Sequence, residues 1–180
     1  MLSVVILILL AWHFYIGYNR GIILQLFYSI GAVLSFVLAS QWYQFLADKL
    51  TLWVPYSNPA EGVSTLFFTD VNIFKLSAVY YAGIGFFVLF LVVYTMVRLL
   101  GVLVHIFPID HFDQPSTKLM SGFLGMIVSL VFLTMTLIIL ATVPMPFVQN
   151  QLHASALSRL IINHTPILSD ALRQLWITVA

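Results

Sequence analysis

The sequence predicts an all-α polytopic membrane protein with four transmembrane helices plus short external amphipathic helices, and three observations predict it. Hydrophobic residues make up 62% of the 180 and charged residues only 7%, against about a quarter charged in soluble domains. The few charges separate long apolar runs instead of interrupting them. Each run, wound as a helix, is long enough to cross a hydrocarbon core of roughly 30 Å.

The first run, Met1 to Asn19, ends at Arg20, and the second, Gly21 to Ala47, ends at Asp48 and Lys49. A third lies between Lys75 and Arg98, and a fourth follows Lys118 and reaches Pro144 and Pro146. The expected spans are 2–18, 22–47, 76–97 and 119–143, forming a bundle over 1–145, with 146–180 as an external amphipathic segment. A cleaved signal peptide needs a basic stretch before its apolar part; here the first Arg follows it, so the first helix is expected to stay, as half of a tight hairpin with the second. In the segment between spans two and three, Asn58-Pro59-Ala60-Glu61 reads as a helix start. Near the C-terminus Thr165-Pro166 starts another helix. There Ile167, Leu168, Ala171, Leu172, Leu175 and Trp176 recur at helical spacing, fitting a helix along the membrane surface or against the bundle. A helical piece from Gln149 to Asn163 precedes it.

Lys and Arg counts nearly balance across the membrane. Restricted to short loops, they place the Arg20 turn and the Arg98–Lys118 loop in the cytoplasm and both termini outside. A net charge of +1 offers no surface for nucleic acid, and the absence of cysteine removes disulfides and thiolate chemistry.

Two rows of small residues stand out. Gly31, Ser35 and Ala39 recur every four residues in the second span, as do Ser121, Gly125 and Ser129 in the fourth, with Gly122 alongside. Such rows let helix backbones approach closely in lipid, either inside one bundle or at a seam between subunits. Gly17-Tyr18-Asn19-Arg20-Gly21 has the glycines of a tight turn. Its Arg20 is either a topogenic charge or a group facing an anionic headgroup, a partner or a pore mouth.

No Asp, Glu, Lys or Arg lies near a span midplane, which argues against a proton- or cation-coupled transporter. The remaining polar residues in the spans are mainly hydroxyls, fitted to packing more than to pore lining. His13 reads as interfacial, beside Trp12 and Tyr15. His105, Asp110, His111 and Asp113 are a weak metal-ligand group without the spacing of a compact site. No nucleophile–base pair or phosphate-binding glycine loop is present. Neither an enzymatic activity nor a cofactor or metal is expected.

From Gly17 to Leu26 the chain resembles the colicin V production protein (CvpA) family of bacterial inner-membrane proteins. Size, four spans and the Arg-Gly turn leading into a helix carrying Gly31 to Ala39 are similar. The start of the fourth span, Thr117-Lys118-Leu119-Met120-Ser121 with Gly125 after it, is similar too. Thr117 and Ser121 there replace an acid and a glycine of that family, and the acid near the start of its first helix is missing from Met1 to Leu10. The resemblance implies a link to toxin production or export and to envelope integrity, and a cytoplasmic Arg-Gly turn. It supplies no catalytic residues.

Two functions are therefore expected as alternatives. In one, a homo-oligomer forms a pore or transport-associated assembly, with Arg20, Arg98 and Lys118 around its cytoplasmic mouth. In the other, a non-conducting adaptor holds an external protein partner through Tyr56–Phe68 and Ile167–Trp176.

Overall fold

The computed structural model describes residues 1–56, 67–68, 75–104, 114–165 and 168–177. Among these the chain is all helical: α1 (Leu2–Arg20), α2 (Ile22–Leu50), α3 (Leu76–Val104), α4 (Pro115–Ala141), α5 (Pro146–Ala154), α6 (Ala156–His164) and α7 (Leu168–Ile177). Four of them, α1 to α4, are long and apolar enough to cross a membrane. The helix start read at Asn58–Glu61 lies outside the described residues.

The long helices run past the apolar stretches that announce them. Continuous winding carries α2 through Asp48 and Lys49, and α3 through Arg98. At 29 residues each, these helices are about 43 Å long, well beyond the hydrocarbon core. A charge marks where lipid ends, not where backbone hydrogen bonding must end. Between α1 and α2 the break falls at Gly21, whose φ of 86° and ψ of 159° suit a residue without Cβ. Helix α4 begins earlier than its apolar run, at Pro115, and Thr117 Oγ1 accepts the Gln114 N–H at 2.9 Å. It ends before Pro144, which disfavours helical geometry at the preceding residue.

The pairing of helices departs from the expected hairpin of the first two. Helix α1 packs along α4, and α2 packs along α3, while α1 and α2 diverge from the Gly21 turn. The α1–α4 seam is close because Gly17 faces Gly122 and Gly125: a Cβ on Gly125 would stand 2.8 Å from the His13 carbonyl oxygen and 3.2 Å from Gly17 Cα. Ser121 Oγ, buried in this seam, donates to the carbonyl oxygen of Gly17 or of Gly21, the latter 2.9 Å away. In the α2–α3 seam Gly31 lies against Val97, with Ser35 and Ala39 buried further along.

The C-terminal helices complete the bundle at the end opposite the Gly21 turn. Ser155 breaks the piece read as one helix from Gln149 to Asn163: its side chain accepts from Ser158 N–H and caps α6. Its hydroxyl also lies 2.8 Å from that of Ser3 on α1. Helix α7 turns Leu172 and Trp176, both fully buried, into the bundle. Trp176 meets Gly83 and the Phe86 ring, whose centroid is 5.9 Å from its own, about 10–15 Å along α3 from its start. Tyr43 of α2 donates to the Leu175 carbonyl at 2.7 Å. The amphipathic stripe of this segment is thus part of the bundle's core.

Candidate functional site

Most polar side chains in the spans are satisfied by their own helix. Ser29, Ser35, Thr95, Thr134 and Thr136 each donate to a carbonyl four residues back, at 2.6–2.9 Å.

The exception lies at the Gly21 end. Arg20, the last residue of α1, donates through Nη1 to Gln25 Oε1 at 3.1 Å and lies 4.7 Å from the centroid of the Tyr28 ring. Arg98 of α3 lies over the same ring at 5.2 Å, and it lines the same cavities as Tyr94, one turn before it on α3. Cation–π attraction to one ring thus gathers two guanidiniums that would otherwise separate. The Tyr28 ring reaches this place because it lies against Gly101 of α3, where a Cβ would overlap it. The charged and aromatic groups facing Arg20 are Arg98, Tyr28 and Tyr94. The described carboxylates, Asp48 and Asp170, belong to the last turn of α2 and to α7.

Because α1 packs along α4 and α3 along α2 instead of closely on each other among the described residues, a cleft remains between α1 and α3 over α4. Its larger part, about 390 Å³, is lined by Leu9, His13, Leu91, Tyr94, Thr95, Arg98, Ser129, Phe132, Leu133 and Thr136. A smaller cavity of about 70 Å³, lined among others by Arg20, Gln25 and Gly125, shares His13, Tyr94 and Arg98 with it. The two adjoin at these three side chains: the guanidiniums lie at the Gly21 end, and Leu9, Leu91, Phe132 and Leu133 line the larger part together with His13, Thr95, Ser129 and Thr136.

Of the residues singled out in the sequence, Arg20 and Arg98 come together here. Lys118 lies on α4 one turn before Ser121, at the same end of the bundle but outside the cleft lining. Gly17, Ser121, Gly122 and Gly125 form the α1–α4 seam, which Gly21 joins through its carbonyl; Gly125 lines the smaller cavity with Arg20, and Ser129 lines the larger one. Gly31, Ser35 and Ala39 hold α2 against α3 on the far side. Both small-residue rows therefore make contacts within one subunit. Tyr28 and Tyr94 are the organising residues that sequence reasoning missed, and Gln25 reads there only as one of the polar side chains fitted to packing; a lone amide one turn inside an apolar span was the available signal. His13 donates through Nδ1 to the Leu9 carbonyl, 2.8 Å away, as well as lining the cleft. His105, Asp110, His111 and Asp113 lie outside the described residues, and among the described ones no three potential metal ligands cluster.

These features define a polytopic membrane protein built of four crossing helices, with a cationic cleft in its wall. The colicin V production protein family matches residues 2–166, and the chain belongs to that family. It is also similar to the uncharacterized transmembrane protein YshB of Bacillus subtilis (strain 168), at 32% identity over 176 residues, covering 98% of this chain and 97% of the relative. No solved structure matches the chain.

Proposed function

We propose that the protein is a non-enzymatic, transport-associated component of the bacterial cytoplasmic membrane. It serves colicin V-type toxin production or export and the upkeep of the envelope, and it works as a homo-oligomer whose Arg20–Arg98 cleft is the working surface. The observation that carries this reading is the convergence of two guanidiniums on Tyr28 in a cleft where no described carboxylate faces them. Such a site attracts anionic groups. Most of the described span hydroxyls bond their own helices, so passage of a polar solute or peptide needs more wall than one subunit supplies. With Arg20, Arg98 and Lys118 at one end, the positive-inside rule orients that end toward the cytoplasm and both termini outward.

The test is release of an entrapped anionic dye from proteoliposomes. Wild-type protein is expected to accelerate release over protein-free vesicles, and Arg98→Ala to reduce it. Release equal to that of empty vesicles would sink the reading. The adaptor alternative has less support at its second segment, because the face of α7 meant for a partner presents Leu172 and Trp176 to the bundle itself; most of its first segment, Tyr56–Phe68, lies outside the described residues. Deleting Pro166 to Ala180 would open the core as well as remove a docking segment.

A further inference from the structure

The chemistry of the cleft specifies an occupant. Its Gly21 end offers two guanidiniums, with the Gln25 amide bonded to Arg20 and Tyr94 in the same lining, and no described carboxylate faces them. Its remaining length is mostly apolar: Leu91, seven residues and thus about 10 Å along α3 from Arg98, lines it with Leu133, Phe132 and Leu9, and beside them the hydroxyls of Thr95 and Thr136 are spent on their own helices, leaving His13 and Ser129 as its other polar lining. A ligand that satisfies both parts carries an anionic, hydrogen-bond-accepting head on a flexible apolar tail. Guanidinium groups match phosphate oxygens in geometry as well as charge. A helix of a second copy would fill the apolar part but would cover the two cations with apolar side chains, leaving them without a counter-charge at a cost that grows as water is excluded.

We propose that the cleft between α1 and α3 is a binding site for one anionic phospholipid, with its phosphate held by Arg20 and Arg98 and one acyl chain lying along Leu91 and Leu133. The lipid enters from the bilayer through the gap left between α1 and α3. This deepens the reading of the cleft as the working surface and rests on it: the occupant belongs to the leaflet at the Gly21 end and bridges α1 and α3, which pack along α4 and α2.

Native mass spectrometry of the full-length protein from mixed micelles tests this. The lipids are phosphatidylglycerol and phosphatidylcholine with identical acyl chains. The wild type is expected to retain one phosphatidylglycerol per subunit, in preference to phosphatidylcholine by roughly tenfold, the scale of one charge-assisted hydrogen bond. Arg98→Gln should abolish most of that preference. Leu133→Trp, which fills the apolar arm and leaves both guanidiniums in place, should lower retention of both lipids. Far-UV circular dichroism and a thermal melt confirm that each variant is folded. Millimolar inorganic phosphate should leave the lipid adduct in place, and its displacing the lipid would overturn the assignment of a lipid over a free anion. Equal retention of the two lipids, or unchanged preference in folded Arg98→Gln, would also overturn the proposal. So would retention lost whenever subunits associate, which would make a second copy the occupant. Subunit number is read from the same spectra, so a lipid-bearing monomer would support the lipid site while contradicting the assembly.

Discussion

Replacing Gly125 by Leu probes the seam on which the cleft is built. The new Cβ would lie 2.8 Å from the His13 carbonyl oxygen and 3.2 Å from Gly17 Cα, both backbone atoms of α1. Neither can rotate away, so α1 must shift outward as a body. Overpacking of this kind costs about 1–3 kcal/mol. The shift also draws the Gly17 and Gly21 carbonyls away from Ser121 Oγ, and an interhelical hydrogen bond in a membrane protein contributes about 0.6 kcal/mol. A destabilisation of about 3 kcal/mol is expected, measured as a shift in SDS-titration unfolding in mixed micelles. Ala11→Leu, on the exposed side of α1, is the control and should be near neutral. Because the contacts are within one subunit, the loss should be the same at high and low protein concentration. A Gly125→Leu protein as stable as Ala11→Leu would refute the placement of α1 on α4. A loss that varied with concentration would return this row to a seam between subunits.

Three further outcomes are expected. Gln25→Leu removes the acceptor of a half-buried Arg20 and should cost about 2 kcal/mol by the same titration; no measurable loss would show that the pair is not formed. Trp176→Ala should cost about 3–5 kcal/mol, since the indole is fully buried against Phe86, and a neutral result would place α7 outside the bundle. Tyr56 donates to the Thr142 carbonyl at 2.8 Å, and burial, with Tyr80 and Tyr81 beside it, pushes its phenol up to about 12 from 10.0. The folded state therefore holds this proton more tightly than the unfolded chain. The stability it contributes is complete below pH 10 and is lost as pH rises toward 12. Unfolding midpoints across that window should fall less steeply for Tyr56→Phe than for wild type, and parallel profiles would rule the contribution out.

What the sequence reveals and conceals follows from the periods it encodes. An apolar run states that a helix crosses lipid, so the four long helices were legible from charge spacing alone. Gly21 and the small-residue rows were legible as a turn and as close approaches. A row of small residues does not name its neighbour, however. Only the structure shows that Ser121 and Gly125 meet Gly17, and that Gly31 meets Val97. The stripe of α7 was equally visible, but an apolar face fits a lipid surface or a bundle core equally well. Tyr28 was hidden for a related reason: inside a span an aromatic reads as packing, and its role arises from Gly101, 73 positions later, leaving room for its ring.

Subunit number in lipid nanodiscs, read by native mass spectrometry, tests most directly the claim that the cleft serves an assembly. A single defined species of several subunits is predicted, because most of the described span hydroxyls are spent on their own helices. A stable monomer that carries out anionic dye release at the wild-type rate would contradict it.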